Sequence, residues 1–229
     1  MLRVLSCIVY EHDPVFLVLA LVTLLFGSVV TMRLFARVRR TDKAIRRLWL
    51  ALAGIIGGGT IWSTHFVAIL AYESNLILGY EPVLTLISLF LVVCTTTLGF
   101  YIASTSRHSY RIELGGLTLG LGIGLMHYIG MRAIYLSGIY EWDTILVVFS
   151  IIFGGAFGML ATNRIGRPTT RYCHYGAACA FFLAVGMMHF TGMSGFTLTP
   201  LDVELEVTRL VELCPKVGDG VIRRRFEVA

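Results

Sequence analysis

Three apolar stretches each carry one histidine: WSTHFVAIL, LMHYIGMRA and MMHFTGMSG. His65, His127 and His189 recur at a spacing of 62 residues. Each is followed by an aromatic residue (Phe66, Tyr128, Phe190). A small residue stands three positions on (Ala68, Gly130, Gly192), and Ile69, Met131 or Met193 stands four on. Imidazole is the commonest biological metal ligand and thioether is a soft one. Positions i and i+4 share a helix face, so His127 with Met131, and His189 with Met193, can present nitrogen and sulfur together. Such a set favours copper, Cu(I) above all, over hard oxygen-seeking cations. Met126 and Met188 precede their histidines and point about 100° away around a helix, which makes them weaker additional metal candidates. A single buried histidine more often bonds one helix to another. Three at one period favour function, because ionisable groups in membrane helices are rare and costly.

The elements that hold these histidines are membrane spans. Of 229 residues, 56% are hydrophobic and only 14% charged, against about 25% charged in a soluble domain. Six stretches, at roughly 15–36, 48–72, 82–104, 112–136, 144–162 and 173–198, approach the length of about 20 residues that crosses a bilayer. None alternates as barrel strands do. The net charge of +5 sits in loops, with Arg33, Arg37, Arg39, Arg40, Lys43, Arg46 and Arg47 after the first span. Arg107 and Arg111 follow the third, and Arg164, Arg167 and Arg171 the fifth. That pattern sets topology rather than nucleic-acid binding, and puts those loops in the cytoplasm and the N-terminus outside. MLRVLSCIVY is not a convincing cleaved leader. The scattered cysteines Cys7, Cys94, Cys173, Cys179 and Cys214 form no CxxC pair.

The fold expected is an all-α integral membrane protein of six transmembrane helices, built as three parallel two-helix repeats over about 10–73, 80–135 and 140–198. Tyr10-Glu11, Tyr80-Glu81 and Tyr140-Glu141 would open the units. Parallel repeats bring the histidines to one depth, near the outer face. Glycine stripes (Gly116, Gly120 and Gly124; Gly54 and Gly58) permit close helix approach. The only acids expected among the spans are mouth residues: Glu11, Asp13, Glu73, Glu81, Glu141 and Asp143. His12, His108 and His174 fall at span ends, where a solvated interfacial histidine is expected. No membrane-embedded lysine could form a retinal Schiff base.

MHYIGM and MHFTGM resemble the signature of the MHYT family, with WSTHFVAIL as a divergent first copy that has Thr64 and Ile69 in place of methionines. The resemblance implies a bacterial inner-membrane sensory domain, usually of seven spans. It implies copper held by His65, His127, His189, Met126, Met131, Met188 and Met193, and a diatomic gas (O2, CO or NO) as ligand. A seventh span near 201–214 would be poor, because Asp202, Glu204, Glu206, Arg209 and Glu212 interrupt it. Residues 199–229 are expected to be a short tail without an output domain, so signalling would pass through a partner protein. The expectation is therefore a lipid-embedded copper-binding sensor and not an enzyme. Copper or ion transport, or metal delivery, is the alternative.

Overall fold

Three acidic residues start three helices. Asp13 Oδ1 accepts the backbone N–H groups of Val15 and Phe16 at 2.8 and 3.1 Å, opening α1 (Pro14–Arg40). The Glu81 carboxylate accepts those of Val83, at 3.0 Å, and Leu84, opening α3 (Pro82–Thr105). Asp143 Oδ1 accepts those of Ile145 and Leu146, opening α5 (Thr144–Gly166). Each carboxylate satisfies two of the backbone donors that a helix start leaves orphaned. In the computed structural model, which describes residues 12–72, 77–105, 108–136, 138–170 and 172–200, these helices alternate with α2 (Lys43–Ala71), α4 (Ser109–Arg132) and α6 (Cys173–Ser194). All six are long and apolar enough to cross a membrane. Residues 1–11 (with Cys7, Tyr10 and Glu11), Arg107, Arg171, and the seventh-span segment with Cys214 lie outside the described residues.

The six helices close a ring in chain order, α1 to α6 and back to α1. Burial divides them into two sets. The apolar windows of α1, α3 and α5 are each 28% buried, whereas those of α2, α4 and α6 are 56, 61 and 67% buried. The histidine-bearing helices are therefore central, and their partners are peripheral and face lipid with residues such as Phe16, Phe26, Phe90 and Phe149. Cys94 and Cys179 also face outward.

Glycine sets how closely the hairpins join. Between α4 and α5, a Cβ at Gly116 would lie 2.5 Å from Gly158 O, and one at Gly120 would lie 2.3 Å from Gly154 O. Between α2 and α3, one at Gly58 would lie 2.7 Å from Val93 Cα. No side chain fits in those gaps, so the expected glycine stripes act as backbone-to-backbone packing surfaces. Gly124, the last of its stripe, meets only Ile151, at 3.8 Å.

Each hairpin is clasped at its histidine end. The backbone N–H of Asp13 donates to Ala71 O, that of Glu81 to Ala133 O and that of Asp143 to Gly195 O, at 2.7, 2.7 and 2.8 Å. Short antiparallel pairings extend each tie. His12 bridges Tyr72, β1 (Ile77–Tyr80) pairs with β2 (Ile134–Leu136), and β3 (Gly138–Trp142) with β4 (Phe196–Pro200). Strands therefore occupy part of the stretches expected to finish the fourth and sixth spans. The helix caps do not keep one offset from the Tyr-Glu dipeptides, since Glu81 itself caps the second unit. The cap residue of the third unit is Asp143, two positions after Glu141, and that of the first is Asp13. From cap to histidine is 52 residues in the first hairpin and 46 in the other two, so six extra residues shift the first copy out of the 62-residue register. At the opposite, basic end, the Arg39 guanidinium donates to Ala103 O and, at 3.4 Å, to Gly166 O, serving terminal carbonyls of α3 and α5.

Candidate metal centre

Five or six residues before their C-terminal ends, the central helices bring His65, His127 and His189 face to face. His65 Nδ1 lies 3.2 Å from His127 Nδ1 and 3.3 Å from His189 Nδ1. The three rings meet edge to face, with centroids 5.0 to 5.3 Å apart. All three residues are buried, at 2, 0 and 4% exposure. One ligand atom from each lies within 4.8 Å of the others, and no carboxylate or thiol among the described residues joins the group.

The ring edges explain a sequence feature. A Cβ at Gly130 would lie 2.6 Å from His65 Nε2, and one at Gly192 would lie 2.7 Å from His127 Nε2. Gly130 and Gly192, three positions after their histidines, thus make room for the imidazole of the preceding repeat. Only glycine does so at the two tight positions.

The protons do not balance for an empty cluster. An imidazole nitrogen carries either one proton or one lone pair. His65 Nδ1 therefore cannot donate to one neighbour while accepting from the other. The three Nε2 atoms have no hydrogen-bond partner among the described residues. Leaving a buried polar group unsatisfied costs about 1–3 kcal/mol. A cation among the three Nδ1 atoms would use all three lone pairs at once and place the protons on Nε2. Three nitrogens each about 2.0–2.1 Å from one ion are roughly 3.3–3.6 Å apart, close to the two separations above. The buried triad could hold a metal, and its donors suit one.

Apolar layers close the cluster along the bundle axis. Ile61, Ile123 and Val185, each four residues before its histidine, are buried, as are Leu119 and Phe181 a further turn back. Towards the clasps, Ile69, Met131 and Met193 pack together with Ile134 and Phe196. Met131 and Met193 thus form, with Ile69, one layer over the triad. Met126 and Met188 lie in the main core and line a narrow crevice with His65 and His189. Glu113, an acid inside α4 that the sequence reading passed over, bonds Ser109 at 2.8 Å and Asn163 at 3.4 Å, 14 residues from His127.

His12 corrects an expectation. It is 5% exposed rather than solvated, and packs edge to face on Tyr72 and on Phe190. It fills the place that Tyr80 holds against Phe66 and Trp142 against Tyr128. The aromatic after each motif histidine therefore docks on the clasp of the next repeat, and His12 serves as that clasp residue in the first. The six-residue offset hid this equivalence in the sequence. His108 and His174 stand away from the triad, at the basic end.

A sequence model described as a bacterial signalling protein N-terminal repeat, MHYT, matches residues 58–116 and 120–177. The chain belongs to the MHYT family. The MHYT model frames each repeat from the motif-bearing half of a central helix into the next hairpin, across the joins where histidine and glycine interlock. Among curated relatives, an uncharacterised signalling protein of Caulobacter vibrioides is 35% identical over 90% of this chain and 25% of its own length. The cyclic di-GMP phosphodiesterase NbdA of Pseudomonas aeruginosa is 32% identical over 72% of this chain and 22% of its own. The bifunctional diguanylate cyclase/cyclic di-GMP phosphodiesterase MucR of the same organism is 29% identical over 82% and 28%. The chain spans about a quarter of the length of these relatives. No solved structure matches. The chain is thus a multi-pass membrane module of the MHYT signalling type, and its helices contact lipid.

Proposed function

We propose that this module is a copper-binding sensor, and that the convergence of three buried Nδ1 atoms without a carboxylate carries the reading. The charge of a buried ion is costly unless its ligands neutralise it. Three neutral imidazoles neutralise nothing, and the nearby acids Asp13, Glu81 and Asp143 are engaged as helix caps. A monovalent ion is therefore less unfavourable here than a divalent one. Imidazole with nearby thioether suits Cu(I) among monovalent ions. His65, His127 and His189 would hold it. Met131 and Met193, one turn on, would be the candidate soft thioether donors, with Met126 and Met188 as the further candidates. Bound copper would supply a site for a diatomic ligand such as O2, CO or NO.

By the positive-inside rule the basic end is cytoplasmic, which puts the triad near the outer face of a bacterial inner membrane and the N-terminus outside. The signal would pass down the central helices to an output, on this chain or on a partner, of the cyclic-di-GMP kind that the names of two relatives indicate. Copper transport or delivery fits less well, because Ile61, Ile123 and Val185 interpose an apolar layer on the basic side.

The test is elemental analysis of the detergent-purified protein, with absorption spectra before and after carbon monoxide. Near-stoichiometric copper is expected in the wild type, and none in the His65→Ala/His127→Ala/His189→Ala variant. Equal copper in the two would end the copper reading.

A further inference from the structure

The three joins between hairpins are not alike. At α2–α3 and α4–α5, glycines bring backbones into contact through Gly58 and through Gly116 and Gly120. The positions 62 residues beyond Gly116 and Gly120 are Ala178 and Phe182 on α6. The α6–α1 join therefore lacks that glycine pair, and α1 and α6 make the slightest contact of the six neighbouring pairs. The glycine that α6 does have in this region, Gly186, meets only Leu24 Cδ2, at 4.0 Å. Its counterparts are Trp62, a full side chain, in the first repeat and Gly124, which meets only Ile151 at 3.8 Å, in the second.

A crevice lies in this looser join. Ala20, Leu21 and Leu24 of α1 and Val185, Gly186 and Phe190 of α6 line it, together with Thr64, His65 and His189. The surface it exposes is wholly apolar and its volume is about 10 Å³, the space of roughly one water-sized molecule. Its position between a peripheral and a central helix directs it sideways, towards lipid. Along the axis the triad is covered by Ile61, Ile123 and Val185 on one side and by Ile69, Met131 and Met193 on the other.

We propose that the α1–α6 join is a lateral binding crevice through which a small apolar molecule dissolved in the bilayer reaches the histidine cluster. Apolar voids stay dry and, where there is space, take up apolar guests such as xenon; this one is at the lower limit of size, so a guest must push its walls apart, and a hydrated ion or a polar metabolite finds no exposed polar surface there. Small uncharged gases concentrate in hydrocarbon, so the lipid side is their natural approach. The crevice as a guest site stands on its own geometry. Its role as the sensor's inlet rests on the proposed function.

Xenon, which needs no metal, separates the two. With methionine methyl groups isotope-labelled, xenon pressure should shift the Met126 and Met188 resonances in wild-type protein and leave Met131 and Met193 unmoved. Gly186→Leu, which fills the join, should abolish the shift, and Leu24→Ala, which widens it, should enlarge it. Gly176→Leu, on the same helix with nothing within 4 Å of its added Cβ, should change nothing. A shift at Met131 and Met193 instead, no shift at all, or shifts indifferent to both Gly186→Leu and Leu24→Ala would overturn the crevice. Should Gly186→Leu fail to fold, the Leu24→Ala response decides. A xenon site in a protein that binds no copper would uphold the crevice and refute the copper sensor. In copper-loaded protein, Gly186→Leu should slow carbon monoxide binding without lowering the copper content.

Discussion

The first repeat and the other two bring the same imidazole to the same cluster by different packing. Repeats two and three have Met126 and Met188 before the histidine, Gly130 and Gly192 three after it, and Met131 and Met193 four after it. Repeat one has Thr64, Ala68 and Ile69 at those places. Its clasp residue is His12 where the others have Tyr80 and Trp142. What all three keep is the histidine, the aromatic after it, and the backbone tie from the helix cap to the residue six past the histidine. Those features fix the depth and convergence of the rings. The varied ones set how tightly each join closes.

The sharpest way to break this comparison is at the third position after the histidine. Gly130→Ala and Gly192→Ala would each drive a methyl into an imidazole edge at 2.6 or 2.7 Å. The ring must move, and it sits in a cluster with no slack. Overpacking of this kind costs about 1–3 kcal/mol, and disturbing the orientation of a ligand typically costs 10–100-fold in metal affinity. Ala68→Gly, the reciprocal change, should cost about 1 kcal/mol of helix propensity and leave affinity unchanged. Copper titration and thermal unfolding of the three variants read both effects. Equal losses of affinity in all three would mean that the glycines do not serve the rings.

The fold was largely legible because apolar run length and the 62-residue period are dictated by the bilayer and by repetition. The meeting of the three histidines followed from equal depth in parallel repeats. The glycine three positions after the histidine was visible as a pattern, but its reason was not, since the ring it accommodates lies 65 residues earlier in sequence. His12 was illegible for a different cause. Six additional residues in the first hairpin break the period, and a histidine beside Glu11 and Asp13 reads as solvated until its contacts with Tyr72 and Phe190 are seen. The asymmetry of the α6–α1 join was hidden too, because Ala178 and Phe182 look like ordinary span residues.

A smaller effect is expected one turn past the histidines. Met131→Ile together with Met193→Ile would make that layer uniform with Ile69. All three residues already pack in one apolar cluster, so near-isosteric exchange should change stability by less than about 1.5 kcal/mol. If the thioethers add to the donor set, copper affinity falls by less than about tenfold, or about 1.4 kcal/mol, far short of the loss from any histidine substitution. Unchanged affinity would assign the metal to the imidazoles alone and make repeat one the complete form of the site rather than the degenerate one.

The smallest effect lies in the clasps, where His12, Tyr80 and Trp142 are equivalents. The Tyr80 hydroxyl is buried and has no hydrogen-bond partner among the described residues, and burial raises its pKa above the ordinary value of 10.0. Its folded form therefore holds the phenol proton more tightly than the unfolded chain does. Stability from this group is complete below pH 10 and is lost as the pH rises through the unfolded value towards the folded one. Tyr80→Phe removes both the unsatisfied hydroxyl and the titration. It should stabilise the protein by about 1 kcal/mol near neutrality and flatten the alkaline decline. Unfolding followed well below and just above pH 10 checks both, with His12→Phe as the contrast. In that variant the replaced ring has no phenol to lose, so the alkaline limb should match the wild type. A matching alkaline limb in Tyr80→Phe would mean that the clasp is open to water at Tyr80, and that the burial distinguishing it from a loop is not maintained in solution.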